Sequence, residues 1–201
     1  MHRLRIAVLI SGGGSNLQAI FDAEKKGDLP IEIACVISNR REAFGLKRAL
    51  DAGVESIYIG KGNYIDDTSR DEALLQALVS HEVDLVVLAG YLAILPHIVV
   101  EAFANRIINI HPALIPRHCG PGYYGLYVHE SVIRCKDQIS GATTHFVDEG
   151  VDTGRIIYQE QLDVLCDDTA ESLAQRVLII EHQLLVKTIH DIANGVVKIG
   201  N

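Results

Sequence analysis

Short runs of valine and isoleucine recur along the chain, each followed by a stretch whose apolar residues return every three or four positions. RIAVLIS, IEIACVIS, ESIYIG, DLVVLAG and RIINIH read as strands, with SNLQAIFDAEKKG, REAFGLKRALDAG, DEALLQALVSHE and ILPHIVVEAF as the helices between them. The strands are apolar at consecutive positions, as strands are when both faces of a parallel sheet are covered. The pattern predicts a doubly wound, Rossmann-like α/β fold: a mostly parallel sheet with helices on both faces. After residue 111 the rhythm changes. PALIPRHCGPGYYGLYVHESVI is dense in Pro, Gly and Tyr before it turns helical, which predicts a long functional loop. SGATTHFVDEG and RIIYQEQLDV read as two further strands bracketing DEGVDTG. The last helix, TAESLAQRVLIIEHQLLVKTIHDIANG, has Thr169 as its expected N-cap and Gly195 at its end.

With 201 residues, 48% of them hydrophobic, and no internal repeat or linker, the expectation is one domain over residues 1–201. Eighteen Lys plus Arg against 26 Asp plus Glu give a net charge of -8. A surface of that sign repels nucleic acid and anionic membrane, so an anionic ligand needs a local device. The apolar stretch VDLVVLAGYLAIL is interrupted by charge and glycine and falls short of the roughly 20 residues of a membrane span. The start, MHRLRIAVLI, enters a strand without the features of a signal peptide. Cys35, Cys119, Cys135 and Cys166 show no CxxC spacing, which fits free thiols in a reducing cytoplasm.

One such device is SGGGSN at residues 11–16, between the first strand and its helix. Three glycines let backbone N–H groups approach a ligand, and a helix N-terminus adds unpaired donors and the positive dipole end. Neither GxxxxGK[ST] nor the full dinucleotide fingerprint is met, because no Lys follows and Leu17 stands at the third glycine position. Ser15 and Asn16 suit helix capping and contact with a phosphate monoester; a tight turn without a ligand also satisfies this segment. Asn109 and His111 stand at a later strand end, where residues two apart share a face. An amide N–H and an imidazolium N–H converging there make an oxyanion hole, although two satisfied strand-end groups fit the spacing as well. Pro112 and Pro116 stop this strand and brace its exit. Asp148, Glu149 and Asp152 fall in a glycine-flanked turn, which reads either as a solvated acidic turn or as part of a site. No metal is expected, since metal-ligand spacing is missing.

Together, SGGGSN, NIHPALIP, GATTHFVDEGVDTG and IEHQ resemble the phosphoribosylglycinamide formyltransferase family, the folate-dependent enzymes of purine synthesis, from residue 5 to about residue 190. The resemblance implies the formyltransferase fold and transfer of a formyl group from 10-formyltetrahydrofolate to the amine of glycinamide ribonucleotide. It implies Asn109, His111 and Asp152 as the catalytic group, with Asp152 favouring the imidazolium of His111. Gly14, Ser15 and Asn16 would hold the ribonucleotide phosphate, and Glu181, preceded by Leu178, Ile179 and Ile180, would contact the ribonucleotide. Leu92, Ala93, Ile94 and Leu95, with the backbone of Asp148, Glu149, Gly150, Val151 and Asp152, would form the pterin pocket, beside Asn109. Leu92 and Ile94 on their own read as core, and Glu181 as a solvated helix face. Thr143 and His145 are either near the active centre or inward strand positions. About 1–100 would be the phosphate-binding half, and about 101–201 the catalytic and folate-binding half. Monomer and homodimer both remain open.

Three departures qualify the match. Arginines that some members use around the folate are replaced by Asp67 and Ala93, with Arg70 a turn away; HPSLLP appears as HPALIP; and the loop 117–127 is long and expected to cover the cleft. Rival readings are formyltetrahydrofolate hydrolase, a transferase acting on methionyl-tRNA or a nucleotide sugar, and a non-enzymatic phosphate or nucleotide sensor. An extra N-terminal domain is expected of the hydrolase, and a C-terminal one with a basic surface of the tRNA enzyme. Length and acidity disfavour both. The sensor leaves Asn109, His111 and Asp152 unexplained.

Overall fold

In the computed structural model, which describes residues 3–200, strand β1 (Leu4–Ile10) sends Ile6, Val8 and Ile10 to one face and Ala7 and Leu9 to the other, all fully buried. The first face packs against Leu17 and Ile20 of α1 (Ser15–Lys26) and Leu173, Val177 and Leu185 of α6 (Ala170–Ala193). The second packs against Leu74 and Leu78 of α3 (Asp67–Ser80) and Val99 of α4 (His97–Ala102). The unbroken apolar strands thus have the two-sided covering that their composition demands.

The remaining strands are β2 (Ile31–Ser38), β3 (Ser56–Tyr58), β4 (Leu85–Leu88), β5 (Ile107–His111), β6 (Ile139–Phe146) and β7 (Ile156–Asp163), and the remaining helices are α2 (Phe44–Asp51) and α5 (Leu126–Cys135). One seven-stranded sheet has the order β3-β2-β1-β4-β5-β6-β7. Pairing is parallel from β3 to β5, whereas β6 pairs antiparallel with both β5 and β7. The doubly wound, mostly parallel reading therefore holds, with an antiparallel edge added after the long loop. The antiparallel turn lays His145 beside Asn109 and Thr143 beside His111.

Local chemistry sets the element ends. Thr169 caps α6 as expected, its side chain accepting from Ser172 N–H in a capping box, and Gly195 follows the helix at φ 72°. The N-cap of α1 is Gly14, at φ 72° and without a side-chain cap, so Ser15 and Asn16 lie inside the helix and do not cap it. A left-handed residue is needed in this tight turn, and a Cβ at Gly14 would lie 2.8 Å from the Cα of Gly45. Helix α3 starts before the expected DEALLQ, because Asp66 and Ser69 form a capping box that apolar periodicity does not register.

Candidate active site

The strand order reverses about β1, and ligands of open α/β sheets bind beyond the carboxyl ends of strands at such a point. There lies a cavity of about 910 Å³. Its walls come from residues 90–95 after β4, from Asn109 and His111 of β5, from residues 120–126, from His145 and residues 147–152, and from Leu178 and Glu181 of α6. Ser11, at the end of β1, holds one wall in place: its hydroxyl donates to Asn39 Oδ1 and accepts from the N–H of Leu92 at 2.7 Å. Leu92 and Ile94 are exposed, Ile94 at 80%, so they are cavity wall and not core.

Asn109, His111 and Asp152 meet on the wall of this cavity. His111 is 4% exposed, and its Nε2–H donates to the main-chain carbonyl of His118 at 2.8 Å; a carbonyl only accepts, so the proton is on Nε2. The other nitrogen, Nδ1, faces Asp152 Oδ2 at 3.5 Å, longer than an ordinary hydrogen bond. His145 Nδ1–H donates to Phe146 O at 2.8 Å, and its Nε2 lies 3.1 Å from Asn109 Nδ2 and 3.5 Å from Asp152 Oδ1. The same amide nitrogen reaches Asp152 Oδ1 at 3.4 Å, and the N–H of Gly120 donates to Asp152 Oδ2 at 3.0 Å.

Burial pushes the pKa of His111 below the ordinary histidine value, and the Asp152 charge and the His118 carbonyl only partly offset it. The expected imidazolium is thus not what this environment favours, because desolvation outweighs a carboxylate 3.5 Å away. Burial acts on Asp152 as well, in the raising direction, but contact with His145, the His111 charge and the Gly120 N–H together bring it below the usual carboxylate range. His129, buried beside this group, is pushed down to about 4, and its Nδ1 has no hydrogen-bond partner.

Asp152 is carried in a left-handed conformation, φ 57°, in a loop that closes tightly on β6. A Cβ at Gly154 would lie 1.8 Å from Phe146 O. Gly154→Ala is therefore expected to displace the loop and cost about 1–3 kcal/mol, measurable by denaturant unfolding, with a parallel fall in activity.

A family model described as formyl transferase matches residues 4–189. The chain belongs to the formyl transferase family. It is 43% identical over 189 residues to the chloroplastic phosphoribosylglycinamide formyltransferase of Vigna unguiculata, an alignment covering 94% of this chain and 61% of that protein. The chain thus spans about three fifths of that relative's length. It is 42% identical over 180 residues to the phosphoribosylglycinamide formyltransferase of Haemophilus influenzae, covering 90% of this chain and 82% of that protein. A crystal structure of glycinamide ribonucleotide transformylase 1 from Symbiobacterium toebii superposes with a TM-score of 0.91 at 42% identity, covering 100% of this chain and 92% of that one.

The remaining expected residues fall into groups. Glu181 lines the cavity at 9% exposure, so it is not a solvated helix face; it accepts from Asn16 Nδ2 at 2.9 Å, and burial raises its pKa. Leu178 lines the cavity, whereas Ile179 is 59% exposed outside it and Ile180 packs against the core. Gly14 and Ser15 stay at the helix N-terminus and do not line the cavity. Asp148 through Asp152 form its rim, where the Asp148 carboxylate is turned inward onto Gly150 N and Thr153. Thr143 is a brace: its hydroxyl donates to Ala113 O and accepts from the N–H of Ile115. Arg70 lies in a neighbouring cavity of about 520 Å³, its guanidinium engaged by Asp67 and Asp71.

Sequence reading missed Arg48 of α2, whose Nε donates to Gly13 O at 2.8 Å and whose Nη1 donates to Gln18 Oε1 at 2.8 Å, placing a cation on the glycine loop. The close approach of Gly45 to Gly14, possible only without side chains, brings α2 there. Gly45 in AFG, three residues before Arg48, was the available signal. Among the described residues no group of three or more His, Cys, Asp or Glu is placed to hold a metal ion, and no helix is long and apolar enough to cross a membrane.

Proposed function

We propose that the protein transfers the formyl group of 10-formyltetrahydrofolate to the amine of glycinamide ribonucleotide. The observation that carries this reading is the meeting of Asn109, His111 and Asp152 on a cavity that Glu181 also lines. The pterin lies against Leu92–Leu95 and the backbone of 148–152, and the ribonucleotide runs past Glu181 and Asn16 to a phosphate at the glycine loop and Arg48. Phosphate recognition thus belongs to the first half of the chain and the catalytic group to the second. The free thiols and the acidic surface fit a cytoplasmic enzyme of small molecules that binds neither nucleic acid nor membrane.

The chemistry follows from the electrostatics. The substrate arrives as an ammonium and gives one proton to neutral His111, whose charge Asp152 then stabilises. The freed amine attacks the formyl carbon, forming a C–N bond while negative charge builds on the formyl oxygen. The proton gained by His111 sits on Nδ1, because Nε2–H stays on the His118 carbonyl; this Nδ1–H and the Asn109 N–H that reaches Asp152 at 3.4 Å turn to that oxygen and stabilise it. The amine's second proton passes to the folate N10, directly or through water with Asp152 as relay, and the C–N10 bond breaks. Products are the formamide and tetrahydrofolate. His111 then releases its proton to solvent.

The direct test is formyl transfer to glycinamide ribonucleotide, with water and a second amine as competing acceptors. Transfer to the ribonucleotide amine should dominate; rapid loss of the formyl group to water alone would point to the hydrolase. At the phosphate end, Arg48→Ala removes one charge-assisted contact, so the ribonucleotide KM should rise about tenfold or more with kcat little changed. Steady-state kinetics in each substrate would check this, and an unchanged KM would remove Arg48 from the site.

A further inference from the structure

The loop between β5 and α5 reaches both members of the His111–Asp152 pair with main-chain groups: the His118 carbonyl takes the Nε2–H of His111, and two residues on, the Gly120 N–H binds Asp152. What holds it there is the side chain of His118. Its Nε2 donates to Asp137 Oδ2 at 2.6 Å, and its Nδ1 lies 3.0 Å from Ser131 Oγ. Ser131 Oγ accepts from Arg134 at 3.1 Å and so has its own proton for His118 Nδ1, while the other oxygen of Asp137 accepts from Arg117 at 2.7 Å. The ring N–H of His118 and the Ser131 hydroxyl thus each have an acceptor, and the His118 and Asp137 side chains are 8% and 9% exposed. The His118 backbone is left-handed, φ 51°, a conformation that surrounding contacts must hold in a residue with a side chain. None of the side chains of His118, Ser131 and Asp137 lines the cavity.

We infer that His118 is a positioning residue for formyl transfer: anchored by Asp137 and Ser131, its ring sets its own carbonyl on His111 Nε2 and thereby turns Nδ1 of His111 toward Asp152. This rests on the reading that His111 and Asp152 carry the reaction. Without the anchor, loop 118–120 loses its registration, and His111 is free to rotate about its side-chain bonds.

The test uses the full chain with ring-labelled histidine. Wild-type protein should show an imidazole Nε2–H resonance protected from solvent exchange, assigned to His111 by its absence in His111→Ala. His118→Gly keeps the left-handed backbone accessible but removes the anchor. It should lose that protection and drop kcat about ten- to a hundredfold, with the ribonucleotide KM within about twofold. Asp137→Asn should act in the same direction and decides the matter should His118→Gly fail to fold. His118→Gln, whose amide can donate to Asp137, should restore part of the rate. Wild-type kcat or a protected His111 resonance in His118→Gly overturns the proposal, and so does lowered thermal stability with unchanged kcat. Activity retained by His111→Ala instead overturns the catalytic reading, so the two failures are distinct.

Discussion

Replacing His111 with alanine is expected to leave a folded protein whose formyl transfer is slower by about 1,000-fold or more. The substitution removes at once the acceptor for the substrate's proton and a donor to the developing oxyanion. The ring borders an existing cavity and makes one backbone hydrogen bond, so its loss should lower thermal stability modestly. His111→Gln, which retains an amide donor for the His118 carbonyl, separates folding from chemistry: it should unfold near the wild-type temperature and still be slow. The pH profile of wild-type kcat/KM carries a further expectation. Burial lowers the pKa of His111, so the ring is neutral above that value and charged below it. Activity should therefore persist down through the ordinary histidine value and fall only below it, while the alkaline limb follows deprotonation of the substrate ammonium. An acid limb at or above the ordinary value would contradict the desolvated environment described for His111.

Asp152→Asn carries the second large effect, a loss of about 100- to 10,000-fold in kcat. Asparagine tolerates the left-handed backbone that Asp152 adopts, and its amide oxygen can still accept from Gly120 N–H. The loop should hold its place. What disappears is the negative charge 3.5 Å from His111 Nδ1, which stabilises the imidazolium and relays the second proton. Because the change falls on the reacting groups, kcat should drop with little change in the ribonucleotide KM. Single-turnover measurement of formyl transfer isolates the chemical step, and wild-type-like rates there would exclude both roles. Circular dichroism and denaturant unfolding of the same protein check that the fold is retained.

The strand runs, the glycine loop and the Thr169 cap were legible along the chain because each is a local device: consecutive apolar residues, a backbone needing no Cβ, a hydroxyl three residues before its donor. Joint motifs also brought Asn109, His111 and Asp152 together as candidates. Composition alone reads Leu92 and Ile94 as core, and only the joint motifs put them at a pocket, since apolar side chains look alike whether they face a core or a ligand cavity. Asn16 and Glu181 lie 165 residues apart, and nothing in either segment announces their hydrogen bond.

By itself, the sequence determined the two-sided α/β sheet and which polar residues stand at its carboxyl edge, because apolar periodicity and turn chemistry act over a few neighbouring residues. The tertiary structure alone decided what those residues experience. The antiparallel turn of β6 sets His145 against Asn109, close packing of two glycines brings Arg48 to the glycine loop, and the long loop places a carbonyl on His111. Burial then overrides the nearby carboxylate and holds the His111 ring neutral, since desolvation depends on every element packed around a group and not on its neighbours in the chain.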